Sequence, residues 1–215
     1  MVSAPEKLTA DYIAERWPYL YHMAEGGSWP SIERYGLCST TALLDLFEIH
    51  GTDRDAIEAR RRPESVRIDH PARGTAWIRD NKPINETVLR RTLVGTSEPD
   101  WYRSLNSRVF FWLSEDRLTR LRRAPPYRAR PHDILTVSTE RLLAAHADEI
   151  ELSPLNSGAV HPAANYPRGA HTFQPIVRYP WLERVAVAPR EPIVELTVRY
   201  MVTDVGSLVT DVRTI

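Results

Sequence analysis

Hydrophobic residues recur every three to four positions in the first half of the chain, which predicts amphipathic helices there. Polar N-cap residues open these segments, and Gly or Pro closes most of them. The predicted helices occupy residues 9–17, 28–35, 39–50, 53–62, 85–94 and 139–147, and two more begin at Ser97 and Ser114. Gly36 and Gly51 are the expected ends of the second and third helices.

Runs of β-branched and aromatic residues predict the strands. These cover residues 20–23, 66–68, 75–78, 109–113, 134–137 and 193–198, and residues 202–215 predict a turn and one more strand. Residues 153–180, rich in Pro, Gly, Asn and Ser, predict a long ordered loop, which is uncommon unless it is functional or mobile. Because helices and strands do not alternate regularly, we expect one α+β domain over residues 1–215, with helices concentrated in the N-terminal half.

Composition indicates a folded protein in a reducing compartment. Hydrophobic residues make up 42% of the chain and charged residues 26%, which is typical of a globular domain and argues against disorder. No apolar run approaches the roughly 18 residues that cross a bilayer, and the N-terminus lacks the pattern of a secretion signal. The single cysteine, Cys38, cannot form an internal disulfide. We therefore expect a cytoplasmic protein without membrane contact.

The charge balance and the missing motifs exclude several classes of function. With 28 basic and 28 acidic residues the formal net charge is zero, so a general attraction to nucleic acid is not expected. The sequence contains no GxxxxGK[ST] phosphate loop and no GxGxxG, HExxH or GxSxG motif. It also lacks a CxxC pair or a close His/Cys cluster, so no metal site is predicted.

The first informative segment is YHMAEGGSWPSIERYGL at residues 21–37. It resembles the opening of the ADP-ribosyltransferase fold, most of all the DNA-modifying branch, which reads roughly YHITHxxNLPSIL…GL. Tyr21 and His22 match that pattern, whereas Ala24 replaces a threonine and Ser28 an asparagine. The resemblance implies a split β-sheet core and an NAD-binding cleft, with Tyr21, His22 and Ser28 at the cofactor and the His22 ring bonded to the nicotinamide ribose. The alternative is that His22 is a core histidine with its ring nitrogens on backbone groups.

Two further blocks extend the resemblance. The DNA-modifying branch carries an arginine pair after its second helix and a later strand written VPFYF; here IEARRRP at residues 57–63 and VFFWL at residues 109–113 correspond to them. By resemblance Arg61 or Arg62 contributes to catalysis beside the cofactor, and Phe111 belongs to the cofactor site. The alternative for the arginines is a solvated basic helix end.

A late strand carries the third block, EPIVELTV at residues 191–198. ADP-ribosyltransferases place their catalytic glutamate at the start of such a strand, and Glu195 matches by position. A carboxylate there can bond the ribose 2′-hydroxyl, stabilise the oxocarbenium-like transition state as nicotinamide departs, and accept a proton. The strand period of two equally places Glu195 opposite Val194 and Leu196, facing solvent.

Other candidates come from the residues themselves. Arg79 is a further candidate for a pocket. Asn156 and Ser157 lie beside a glycine in a segment that forms either an ordinary turn or a turn presenting N–H groups to an anion. An arginine cluster around the end of the helix that follows Ser114 suits nucleic-acid phosphate or a solvated face.

The whole chain also resembles a bacterial family of unknown function. The shared phrases are RRPESV at residues 61–66, IRD at 78–80, RVFFW at 108–112 and LSPxNSG at 152–158. This resemblance brings no activity with it.

We therefore expect an enzyme that uses NAD as substrate and transfers ADP-ribose to a nucleic acid, a protein or a small molecule. A toxin or defence role would follow from such chemistry. The alternative is a non-catalytic module that binds a nucleotide or a partner on the same fold, which Ala24 and Ser28 favour. A third reading, removal of a 2′-phosphate from RNA, needs more arginines around the pocket than the sequence places there.

Overall fold

Most helices begin where a polar side chain caps the first turn, in the computed structural model of residues 5–215. A side-chain oxygen accepts a hydrogen bond from the backbone N–H three residues ahead at Thr9, Ser39, Asn85, Ser97, Ser114 and Ser138. These bonds satisfy N–H groups that have no partner inside the helix. Residues 1–4, part of the N-terminal stretch without a secretion-signal pattern, lie outside the described residues.

The described residues form ten α-helices and eleven strands. The helices are α1 (Ala10–Arg16), α2 (Trp29–Tyr35), α3 (Thr40–Leu46), α4 (Gly51–Glu58), α5 (Glu86–Thr92), α6 (Glu98–Asn106), α7 (Glu115–Arg123), α8 (Thr139–His146), α9 (Trp181–Val187) and α10 (Val205–Leu208). The strands are β1 (Tyr19–Glu25), β2 (Leu37–Cys38), β3 (Val66–His70), β4 (Gly74–Ile78), β5 (Arg108–Trp112), β6 (His132–Ser138), β7 (Ile150–Ser153), β8 (Gln174–Pro175), β9 (Glu195–Arg199), β10 (Met201–Val202) and β11 (Val209–Thr214).

Each predicted helix and strand is present, although some ends differ. The expectation that Gly51 ends the third helix is wrong, because α3 ends at Leu46 and Gly51 begins α4. The chain turns at Glu48, which has a φ of 56°, and the N–H of Ile49 bonds the carbonyl of Leu44 at 2.9 Å. A positive φ at a residue other than glycine is uncommon, which is why the sequence pattern missed this turn.

Seven strands form one antiparallel sheet in the order β11-β6-β1-β5-β9-β7-β8. β1 pairs with β6 along its whole length, from Tyr19 opposite Ser138 to Glu25 opposite His132. In contrast, β1 and β5 share the single pair Tyr21–Trp112. The sheet is therefore narrowest between β1 and β5, where a single pair joins its two halves. The α+β prediction is confirmed.

One face of this sheet forms the main core. Leu20, Phe111 and Leu196 are fully buried in it, together with Ile13 of α1 and Leu142 of α8. Burying a side chain of this size contributes about 1.5–3 kcal/mol to stability. Three smaller clusters lie beside the core, one between α3 and the β3–β4 hairpin, one around α5 and α6, and one between α7 and strands β1 and β6.

The predicted loop at residues 153–180 is ordered, but it ends in β8 and a short 3₁₀ helix (Ile176–Arg178). Single parallel bridges attach it to residues that flank α5, one between Val160 and Ile84 and one between Arg168 and Leu93. These bridges fix the path of the loop across the end of β9. Residues 181–187, which carried no prediction, form α9.

A buried carboxylate connects the sheet to α2. Asp133 of β6 accepts the backbone N–H of Trp29 at 2.9 Å and the hydroxyl of Thr214 at 2.8 Å. The first turn of α2 and the edge strand β11 therefore bind the same side chain. Within residues 5–215, no helix has the length and apolar character needed to span a membrane.

Candidate functional site

A cavity of about 520 Å³ lies where β1 and β5 separate. Its walls come from β1, α2, the β4 strand and the residues after it, the C-terminal half of α7, and the loop at residues 156–159. The size is in the range of small-molecule sites, which typically hold 300–1,000 Å³. Aromatic rings line much of it, namely Tyr35, Trp77, Phe110, Trp112 and Tyr127.

Glu195, the first residue of β9, lies in the wall of this cavity with 3% of its surface exposed. The hydroxyl of Ser157 donates to its carboxylate at 2.7 Å, and the N–H of Ser157 lies 3.2 Å from both oxygens. Burial raises the pKa of Glu195 to about 7, although the Ser157 bonds and the charges of Arg117 and Arg168 oppose this shift. The alternative of a solvent-facing Glu195 is therefore wrong, because the loop at residues 156–159 covers that face.

His22 bridges the gap between the two parts of the sheet. Its Nδ1 lies 2.9 Å from the carbonyl oxygen of Phe110, so Nδ1 carries the hydrogen and Nε2 is an acceptor. Burial lowers the pKa of His22 to about 4, the Phe110 bond opposes this, and the charge of Arg79 adds to it. The ring is therefore neutral at neutral pH. It bonds a backbone group, as the core-histidine alternative expects, and it also lines the cavity.

The arginine pair separates into one inward and one outward member. Arg62 lines the cavity, is 7% exposed and donates from Nε to the carbonyl of Arg79 at 3.1 Å. Arg61 does not line it and donates instead to the carbonyl of Lys82 at 2.8 Å. The alternative of a solvated helix end is wrong for Arg62, because its side chain is buried and burial lowers its pKa to about 10.

The structure brings together part of the predicted site. The predicted residues that line the cavity are His22, Ser28, Arg62, Arg79, Asn156 and Glu195. The predicted residues that lie outside it are Tyr21, Arg61, Phe111 and Ser157. Ser157 is buried behind Glu195, and Phe111 belongs to the main core.

Tyr21 lies on the other face of β1 from His22. Adjacent side chains on β1 point to opposite faces, so Tyr21 and His22 diverge. Tyr21 lines a separate surface groove with Trp17 and Tyr19.

Sequence reasoning did not identify Trp77, Trp112 or Tyr127 as site residues. For Trp112 a signal was present, because strand alternation places Phe110 and Trp112 together on the face opposite Phe111. Because Phe110, Phe111, Trp112 and Leu113 are all large and apolar, the sequence does not show which face of β5 is buried. Tyr127 follows α7 and Trp77 lies on the β4 hairpin, so only the tertiary fold brings them to the cavity.

Other candidate chemistry finds little support in the structure. Over residues 5–215 no group of three or more His, Cys, Asp or Glu side chains is arranged to hold a metal ion. Cys38 also lines the cavity, but burial raises its pKa to about 11, so the thiol is protonated at neutral pH. In the basic cluster around α7, Arg117 pairs with Glu191.

A family model described as "Family of unknown function (DUF7002)" matches residues 18–209. The predicted resemblance to a family of unknown function is confirmed, and the match includes every residue that lines the cavity. No curated protein and no solved structure matches the chain.

Proposed function

The chain belongs to this family of unknown function, and we propose that it is an NAD-dependent ADP-ribosyltransferase. The observation that carries the proposal is that His22 and Glu195, from strands near the two ends of the chain, both line one cavity at the division of the sheet. These are the two residues for which the family resemblance implies contact with the reacting ribose. The same resemblance and the single cysteine favour a cytoplasmic site of action.

The chemical properties of the cavity suit NAD as a substrate. Its aromatic walls can stack on a nicotinamide or adenine ring. Arg62 and Arg79 supply positive charge for phosphate, and Asn156 supplies an amide at the same wall as Glu195. NAD would contribute the glycosidic bond that is cleaved.

In the proposed reaction the bond between the nicotinamide nitrogen and ribose C1′ breaks, and nicotinamide departs with the bonding electron pair. A nucleophilic atom of the acceptor then forms a bond to C1′ and loses its proton. Ionised Glu195 bonds the ribose 2′-hydroxyl, stabilises the positive charge on the ribose and accepts the acceptor's proton. Neutral His22 has Nε2 available as an acceptor for a ribose hydroxyl, because Nδ1 is held by Phe110.

A nucleotide-binding module without turnover is the second candidate. Ala24 favours it, because its methyl group lines the cavity where the transferase pattern has a hydroxyl. The polar atom of Ser28 is one bond closer to the backbone than those of the asparagine in that pattern. Both substitutions reduce the polar contacts available to NAD.

The test is nicotinamide release from NAD by the purified protein, alone and with DNA, RNA or cell lysate as a source of acceptor. We expect turnover that Glu195→Gln lowers at least 100-fold, whereas Glu140→Gln, at an exposed position on α8, leaves it unchanged. Binding of NAD without release in any mixture would establish the module instead. Neither binding nor release would overturn both candidates.

A further inference from the structure

Arg79 is largely buried, and within residues 5–215 it has no carboxylate partner. Its Nη1 donates to the carbonyl of Met23 at 3.2 Å and lies 3.4 Å from Nδ1 of His132. Its guanidinium carbon lies over the Tyr127 ring, 5.1 Å from the ring centre. This cation–π contact holds the guanidinium group at the wall of the cavity. Among the described residues, no carboxylate oxygen lies within 4.0 Å of this guanidinium.

Arg62 repeats this situation next to Arg79. Its bonds go to the main-chain carbonyls of Arg79 and Ile57, and within residues 5–215 it too has no carboxylate within 4.0 Å. The bond from Arg62 Nε to the main-chain carbonyl of Arg79 links the two residues, and both line the cavity. Enclosing one cation without a counter-ion is costly, and enclosing two is more so.

The acids closest to the two arginines are already engaged by other cations. Arg130 bonds both Glu25 and Asp80, and Asp80 also accepts the hydroxyl of Tyr127 at 2.8 Å. Glu58, near Arg62, bonds Arg54 at 2.8 Å. The carboxylates nearest Arg79 and Arg62 therefore bond other cations instead of these two guanidinium groups.

We propose that Arg79 and Arg62 form a binding site for the diphosphate group of a nucleotide. Planar guanidinium groups bind phosphate oxygens through paired N–H donors, and two of them in the lining of one cavity suit two linked phosphates better than one. The aromatic rings of the same cavity would receive the base. The site deepens the proposed transferase function and rests on it only for the choice of nucleotide, since a diphosphate can bind there without any turnover.

The experiment measures binding of inorganic pyrophosphate and ADP by isothermal titration calorimetry, in the absence of NAD. We expect both to bind, ADP more tightly than pyrophosphate, and we expect Arg79→Met to weaken both at least tenfold. Arg60→Met removes an exposed arginine just beyond α4 and should leave both affinities unchanged. Adenosine, which has no phosphate, should bind equally to the wild type and to Arg79→Met.

Arg79→Lys keeps the positive charge but loses the paired N–H donors of the guanidinium group and its contact with the Tyr127 ring. We expect it to weaken pyrophosphate binding about threefold to tenfold with an unchanged melting temperature, which decides the question if Arg79→Met fails to fold. Absence of pyrophosphate and ADP binding to the wild type, or equal binding by the wild type and Arg79→Lys, would overturn the site. A protein that binds pyrophosphate but releases no nicotinamide would keep this site and lose the transferase.

Discussion

The hydroxyl of Ser157 donates a 2.7 Å hydrogen bond to the carboxylate of Glu195, and both side chains are buried. The bond joins the loop that follows β7 to the first residue of β9. The same loop brings Asn156 to the cavity, and the Ser157 bond holds the carboxylate in position and favours its charged form.

Ser157→Ala removes that hydroxyl donor, so we expect the pKa of Glu195 to rise above about 7 by one unit or more. A hydrogen bond to a charged group contributes about 1.5–3 kcal/mol, and one pKa unit corresponds to about 1.4 kcal/mol. The measurement is a pH titration of the Glu195 carboxyl carbon by ¹³C NMR, assigned with Glu195→Gln. Ser207→Ala, at an exposed position on α10, is the control, and an unchanged Glu195 titration in Ser157→Ala would contradict the role of the hydroxyl.

The pH dependence of stability should also report on Glu195. Its pKa is about 7 in the folded protein and near 4.5 in the unfolded chain, so its contribution is full below about pH 4.5. The free energy of unfolding should therefore fall as the pH rises to about 7, by up to roughly 3 kcal/mol, and level off above it. Urea denaturation across this range should show the slope in the wild type and in Glu140→Gln. If Glu195→Gln shows the same slope, the carboxylate is not its source.

His146 provides a second, separate pH response. Its Nδ1 lies 2.8 Å from Glu149 and its Nε2 lies 2.7 Å from Asp204, and both nitrogens can donate only in the protonated ring. Burial lowers its pKa, but the bonds to Glu149 and Asp204 outweigh it, and the net shift is upward.

His146→Gln should therefore destabilise most at acidic pH. A raised folded pKa means that the contribution is full below the ordinary value of 6.5 and is lost as the pH rises through the folded pKa. Thermal unfolding at several pH values should show the difference between wild type and variant shrinking as the pH rises. His171 is exposed, so His171→Gln should show no such trend. A pH-independent difference for His146→Gln would contradict the role of its bonds to Glu149 and Asp204.

Gly36→Ala tests the backbone between α2 and β2, in the wall of the cavity. Gly36 has a φ of 86°, and an added Cβ would lie 2.8 Å from the carbonyl oxygen of Val202. We expect a loss of about 1–3 kcal/mol in the free energy of unfolding, measured by urea denaturation. Gly206→Ala, within α10 and with open space around its Cβ, should be neutral or slightly stabilising. Equal stability of the two variants would refute the strain argument.

Local signals in the sequence were enough to predict most elements. N-caps such as Ser39 and Asn85 act within three residues, so the chain fixes them without help from the rest of the fold. β7 was missed because the short segment 150–153 gains its strand form only from pairing with β9. Its hydrophobic pattern alone does not separate a strand from the end of a loop.

For the site, the sequence predicted which residues lie near the cavity better than it predicted the directions of their side chains. The resemblance selected His22, Glu195 and either Arg61 or Arg62, and of these His22, Arg62 and Glu195 line the cavity. The choice of Phe111 failed because a fully apolar run carries no alternation from which to read its faces. The bond of Ser157 to Glu195 joins residues on separate segments, and no spacing rule connects them.

The carboxylate of Asp133 has a consequence for the order in which the molecule is assembled. α2 precedes β11 by most of the described residues, yet Asp133 receives one of its two bonds from Thr214. During translation, the bond from Thr214 to Asp133 cannot form until residues Val209–Thr214 have been synthesised. The wall of the cavity at α2 therefore depends on a strand at the far end of the described residues.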